Sequence, residues 1–119
     1  ASNLTWNADM TKLHGKIVPR STATAPDNRT AIELIGPPEH IRQLSVVGEA
    51  VDEASARQVA AYMVLTIKLI LPQGPGANRW LTDCMKVVKK KPQVLTMQGW
   101  KLRMEWLEAT KTITLKATR

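Results

Sequence analysis

Apolar and polar residues alternate with a period of two close to the N-terminus. Residues 4–10 place Trp6 and other apolar residues on one side of this alternation, which predicts a half-buried strand. The chain is expected to turn near residues 12–15 and to continue as a second strand over residues 16–18. The sequence that follows is rich in Pro, Ser, Thr and Asn and predicts a flexible loop at about residues 19–29.

Two further strands are predicted in the N-terminal half. Residues 30–35 form a short, mostly apolar segment that the sequence Gly-Pro-Pro at 36–38 ends. β-branched residues favour a strand over residues 43–50. The first half of the chain therefore contributes mainly strands.

An apolar segment in the middle of the chain predicts a buried helix. Almost every residue from 59 to 71 is apolar, and a helix that is apolar on all sides has to be packed on more than one side. Asp52 or Ser55 is expected to cap its N-terminus, and Pro72 is expected to end it. The segment is too short to cross a bilayer, which takes about 20 residues. We therefore expect the sheet and a second helix to enclose it.

The second predicted helix covers residues 79–90 and is amphipathic. Its apolar residues, among them Trp80, Cys84 and Val88, recur at helical spacing on one side. Asn78 is expected to cap this helix after a turn, and lysine residues gather at its C-terminal end, where positive charge is favourable.

Alternation returns in the C-terminal segment and predicts an antiparallel hairpin. Residues 100–106 and 113–117 each place apolar residues on one side and charged or hydroxyl-bearing residues on the other, with a turn expected at 108–110. The prediction is a single α+β domain over residues 1–119. In it, the N-terminal strands and the C-terminal hairpin form an antiparallel sheet, and the two central helices pack on one face of that sheet.

Composition adds an uneven distribution of charge to this picture. The chain has 119 residues, 44% of them hydrophobic, and a net charge of +7. Residues 1–50 are neutral overall, whereas residues 51–119 carry 12 of the 17 basic residues and only 5 of the 10 acidic ones. This asymmetry favours an acidic partner. The candidate basic patch consists of Lys86, Lys89, Lys90, Lys91, Lys101, Arg103, Lys111 and Lys116.

The residue types that usually carry catalysis or bind metals are few. His14 and His40 lack the spacing of a zinc site, which would require Cys84 and a carboxylate to converge with both, so we interpret them as exposed loop residues. Cys84 lies on the apolar side of its predicted helix and is interpreted as a core residue. The glycines at 74 and 76 lack the lysine and hydroxyl of a phosphate-binding loop. No catalytic site, metal site or cofactor is therefore predicted.

Two functional hypotheses follow. The first is a non-enzymatic binding or adaptor domain that acts by protein–protein contact, with an acidic partner as one option. The second is nucleic-acid binding through the basic helix end and the polar side of the hairpin, without extensive base stacking because aromatic residues are few. The chain begins at Ala1, so a soluble protein of either the cytoplasm or the cell exterior is compatible with it, and the sequence does not specify an oligomeric state.

Overall fold

The protein is an antiparallel sheet covered on one face by two helices. The computed structural model describes residues 4–26, 28–37, 39–71 and 75–119. Within them the sheet has seven strands in the order β1-β2-β3-β4-β7-β6-β5, and the predicted α+β fold is confirmed. The elements are β1 (Thr5–Leu13), β2 (Lys16–Thr24), β3 (Thr30–Ile35), β4 (Gln43–Glu49), α1 (Glu53–Ile67), α2 (Pro75–Val87), β5 (Gln93–Met97), β6 (Trp100–Leu107) and β7 (Thr112–Thr118).

The first two strands form a long hairpin, whose second strand continues into the segment that the sequence predicted to be a loop. His14 and Gly15 form its two-residue turn with φ of 51° and 80°, the backbone geometry that matches the twist of a hairpin. The loop expected at residues 19–29 is wrong over its first part, because β2 continues to Thr24. Pro19 lies just beyond the last pair of β2 with β3, where its carbonyl accepts a hydrogen bond from the backbone N–H of Gly36 (2.8 Å), so only one bond at the end of this ladder is missing.

Helix α1 begins with a reciprocal cap. The Asp52 carboxylate accepts a hydrogen bond from the backbone N–H of Ser55 (2.8 Å), and the Ser55 hydroxyl accepts one from the backbone N–H of Asp52 (3.1 Å). Of the two predicted caps, Asp52 is therefore the N-cap and Ser55 is the third residue of the helix. This arrangement, a capping box, provides hydrogen-bond partners for two backbone N–H groups that the first helical turn leaves without partners.

Helix α1 buries one side only. Val59, Met63 and Ile67 are buried against the sheet, whereas Leu65 and Leu69 are 49% and 54% exposed. The expectation that the sheet and the second helix enclose the whole apolar segment is therefore wrong. Helix α2 contacts α1 but leaves the side of α1 that carries Leu65 uncovered.

Helix α2 lies over the C-terminal strands. Gly76 in its first turn approaches the Met97 side chain of β5, and Lys89, just past its end, lies over the Trp106 ring of β6. The helix begins at Pro75, so Asn78 lies inside it and the predicted cap is wrong. Proline is favoured at the first helical position because its fixed φ is already helical.

The core lies between the helix layer and the central strands. Strand β5, which was not predicted, joins β6 through a turn at Gln98 and Gly99 with positive φ at both residues. The C-terminal hairpin of β6 and β7 is confirmed. The most deeply buried side chains are those of Leu44, Val46, Met63, Ile67, Leu102, Met104 and Leu115.

Candidate functional site

The face of the sheet opposite the helices, here called the open face, carries a group of cations. On β4, Leu44 and Val46 are buried beneath the helices, so the alternate residue Ser45 lies on the open face. Ser45 is paired with Lys116 of β7, and Lys116 is paired with Arg103 of β6. Two cationic residues of neighbouring strands thus stand directly opposite each other on an uncovered surface.

Lys101 extends this group along β6. It lies on the same side of β6 as Arg103 and is paired with Thr118 of β7. The Arg103 guanidinium contacts the carboxylate of Glu105 on its own strand, whereas Lys101 and Lys116 form no ion pair within the described part of the chain. Like charges that face each other across strands are unfavourable. Lys101, Arg103 and Lys116, here called the strand cations, therefore favour an anion on this surface.

The other side of the open face is electrically balanced. Arg20 of β2 forms an ion pair with Asp9 of β1 (2.6 Å) and a longer one with Glu33 of β3 (3.4 Å). The hydrogen bond from Arg20 lowers the pKa of Asp9. Among the described strands, the net positive charge of the open face therefore lies on β6 and β7, since Lys16 of β2 is the one cation of β1–β3 on this face besides Arg20.

A cavity of about 580 Å³ adjoins the strand cations, and we call it the basic cavity. It lies where the β1–β2 turn, the loop before β4 and the end of β7 meet. No Asp or Glu of the described residues lines it. Its lining residues are Leu13, His14, His40, Arg42, Gln43, Lys116, Thr118 and Arg119.

Local backbone geometry positions these side chains. Gly36 has φ of 114°, and a Cβ at this position would lie 2.7 Å from the carbonyl oxygen of His40, so the turn before His40 requires glycine. The backbone N–H of Arg42 donates to the carbonyl of Ile35 (2.8 Å) and closes this loop. The Arg119 guanidinium lies 4.5 Å from the centre of the buried Trp100 ring, a cation–π contact that holds it in place, and Arg119 also lines a neighbouring groove with Glu39 and His40.

The residues of the predicted basic patch lie on two different surfaces. Lys101, Arg103 and Lys116 are on the open face, whereas Lys86 and the lysines at 89–91 follow α2 on the helix side. Lys111 lies in the β6–β7 turn and pairs with Glu108 (2.6 Å). Hydrogen bonds from Lys111 and from the Trp106 indole lower the pKa of Glu108.

The histidines and the cysteine do not form a metal site. His14 and His40 both line the basic cavity, but Cys84 is buried in the core, as its position on the apolar side of α2 predicted. Burial raises the pKa of the Cys84 thiol, with a smaller contribution from Asp83. Among residues 4–26, 28–37, 39–71 and 75–119, no three His, Cys, Asp or Glu side chains are grouped to hold a metal ion.

The helix side of the β1–β2 hairpin is an exposed apolar surface. The strand predicted near the N-terminus is present as β1, but both of its sides are largely solvent-exposed, so the prediction that it is half-buried is wrong: the helices do not extend over this edge. Trp6 is 45% exposed, and a groove of about 150 Å³ separates the hairpin from α1. The residues of this hairpin apolar surface are Trp6, Met10, Ile17, Leu65 and Leu69.

The basic cavity could not be predicted from the sequence because its residues come from distant segments of the chain. Arg42 and Arg119 were not singled out, and no spacing relates them to His14 or His40. Neither helix in the described part of the chain has the length and apolar character needed to cross a membrane. The chain matches no protein-family model, and comparison with curated proteins and with solved structures finds no match.

Proposed function

We propose that the protein binds nucleic acid through the open face of its sheet, with the strand cations contacting phosphates. The observation that carries the proposal is the pairing of Arg103 with Lys116, which sets two cations opposite each other on a surface without helices. Lys101 adds a third positive charge nearby. A row of phosphates would relieve the repulsion among these side chains and release counterions from the nucleic acid.

Neutral hydrogen-bond donors surround the strand cations. Ser45, Thr114 and Thr118 lie on the open face beside Lys116 or along the same strand. Hydroxyl groups commonly contact phosphate oxygens and sugars and position a nucleic acid without reading its sequence. The open face therefore offers contacts suited to the backbone of the nucleic acid.

Stacking on bases makes little contribution in this proposal. Trp100 and Trp106 lie on the helix side of β6, alternating with the strand cations, and Trp6 lies on the helix side of β1. With these aromatic rings turned away from the open face, affinity would come mainly from charge. Binding should therefore tolerate many sequences and weaken steeply as salt concentration rises.

The test compares two triple variants that remove the same charge from opposite sides of the protein. The open-face variant is K101A/R103A/K116A, and the control is K86A/K90A/K91A, which spares Lys89 and its contact with Trp106. Affinity for fluorescent single-stranded and duplex oligonucleotides is measured over a series of salt concentrations. We expect the open-face variant to bind more weakly, with the slope of log K against log salt reduced by about 2 to 3, and the control to retain most of the affinity.

Two results would contradict the proposal. The first is absence of oligonucleotide binding by the wild-type protein at low salt. The second is a larger loss in K86A/K90A/K91A than in the open-face variant, which would place the interface on the helix side.

A second candidate function, a non-enzymatic adaptor that acts by protein–protein contact, is favoured by the hairpin apolar surface. Exposed apolar residues that form a continuous area often mark a protein interface. β1 is also an edge strand of nine residues, with backbone groups free to pair with another strand. Photo-crosslinking from position 6 would support this function if it trapped a specific partner and if Met10→Lys prevented the crosslink.

A further inference from the structure

The residues that line the basic cavity are suited to a narrower range of anions than the strand cations beside it. We propose that the basic cavity binds a phosphomonoester group, carried either by a free nucleotide or by the phosphorylated end of a nucleic-acid strand. In its second form this inference rests on the proposed function, because only a protein that binds nucleic acid would meet such an end.

Charge is the first argument for this ligand. Arg42, Lys116 and Arg119 carry permanent positive charges, and no Asp or Glu of the described residues lines the cavity with them. His14 and His40 add imidazole N–H donors. A phosphomonoester carries close to two negative charges near neutral pH, whereas a phosphodiester within a strand carries one. The converging cations therefore favour a terminal phosphate over an internal one.

Preorganisation is the second argument. Arg119 is held against the Trp100 ring, and Arg42 follows a loop closed by its own backbone hydrogen bond to Ile35. The Arg119 guanidinium, held by this contact, loses little freedom on binding, and both guanidinium groups match the oxygens of a phosphate. Arg42 and Arg119 thus line the cavity from two separately anchored segments, and the Arg119 side chain is shared with the neighbouring groove that Trp100 and Glu39 line.

Size and the remaining lining residues fit a ligand larger than phosphate alone. A volume of about 580 Å³ lies within the range of about 300–1,000 Å³ usual for small-molecule sites. Leu13 offers an apolar contact, and Gln43 and Thr118 offer neutral hydrogen bonds. A nucleoside attached to the phosphate could therefore make both the apolar contact and the neutral hydrogen bonds.

The first experiment measures binding of adenosine 5′-monophosphate, inorganic phosphate and adenosine to the full chain by calorimetry at low salt. We expect adenosine 5′-monophosphate to bind at least about tenfold more tightly than adenosine, because one charge-assisted hydrogen bond is worth about that factor. R42Q and R119Q should each lose about tenfold or more. R79Q, which removes the same charge from the exposed side of α2, should bind like the wild type.

Thermal unfolding of each variant separates loss of the site from loss of the fold. If R42Q fails to fold, R119Q and H40Q provide the comparison, since they alter different segments of the lining. Equal binding of adenosine and its monophosphate would overturn the inference. Monophosphate binding that is unchanged in folded R42Q and R119Q would overturn it as well.

The second experiment identifies the source of the phosphate with two oligonucleotides of one sequence, one with a 5′-phosphate and one with a 5′-hydroxyl. Tighter binding of the phosphorylated strand, lost in R42Q, would support a nucleic-acid end. Equal binding of both strands together with retained monophosphate binding would support a free nucleotide. If neither strand bound but the monophosphate did, the proposed function would fail and the cavity inference would stand.

Discussion

Val59 of α1 packs so closely on Gly48 of β4 that a Cβ at Gly48 would lie 2.4 Å from Cγ2 of Val59. The absence of a side chain at this position lets the helix approach the sheet, and Val59 is 1% exposed as a result. The contact joins the main helix of the core to a central strand of the sheet.

Gly48→Ala should therefore destabilise the protein. The added methyl group has to displace Val59 or the helix, and overpacking of this kind costs about 1–3 kcal/mol. The free energy of unfolding is measured by chemical denaturation. In the double variant Gly48→Ala with Val59→Ala, part of the loss should be recovered because the clash is removed.

Gly76→Ala is the matched control for this substitution. Its Cβ would meet only the flexible end of Met97 at 3.4 Å, and alanine is favoured over glycine in a helix by about 1 kcal/mol. We expect unchanged or higher stability. A Gly48→Ala protein as stable as the wild type would show that the close approach of α1 to β4 is incorrect.

The capping box predicts a pH-dependent contribution to stability. Hydrogen bonds from the backbone and the hydroxyl of Ser55 lower the pKa of Asp52 in the folded protein. A carboxylate with a lowered pKa stabilises the fold above its unfolded pKa of about 3.9, and this contribution is lost as pH falls through the folded value. Asp52→Ala should therefore lower the melting temperature at pH 7, and its difference from the wild type should shrink between pH 5 and pH 2.

Asp52→Asn separates the cap from the charge. Asparagine is also a good N-cap and does not titrate, so this variant should stay closer to the wild type at pH 7 and change less with pH. The melting temperature is followed by circular dichroism. A difference between Asp52→Ala and the wild type that is constant from pH 7 to pH 2 would argue against a charged cap.

Cys84 should react slowly with thiol reagents in the native protein. The side chain is 3% exposed, and its raised pKa keeps the thiol protonated, whereas the thiolate is the reactive form. At pH 8 we expect reaction with an aromatic disulfide reagent to be much slower in buffer than in denaturant. Rapid, complete reaction of the folded protein would show that α2 does not bury this residue.

The sequence predicted individual elements better than their mutual arrangement. The strand predicted at residues 30–35 is Thr30–Ile35 in the structure, because its alternation and its flanking turn residues act locally. The exposure of Leu65 was not predicted, since an apolar helix does not indicate whether a second helix lies on top of it or beside it. Which side of α1 is buried depends on its tertiary packing and not on its local sequence.

The arrangement of the candidate site likewise depends on tertiary packing that local sequence patterns do not indicate. Alternation along β6 indicates that Lys101 and Arg103 share one side of the strand, but their separation from Lys89 depends on α2 packing on the other face. The basic cavity depends on a glycine turn at Gly36 and on a hairpin whose second strand was predicted only over residues 16–18. Neither local pattern shows that His14 and His40 approach the same cavity.

The hairpin apolar surface should be removable without loss of stability. Met10 and Ile17 are 58% and 67% exposed, so replacing both by threonine, which retains a preference for strands, should leave the free energy of unfolding within about 0.5 kcal/mol. Binding of a fluorescent apolar dye should fall, because part of its contact area is lost. Ile32→Thr is the control: this side chain is 3% exposed, so the substitution should destabilise the fold. If Met10→Thr with Ile17→Thr destabilised the protein as much as Ile32→Thr, these side chains could not be as exposed as the structure shows, and the protein-contact role of this surface would lose its support.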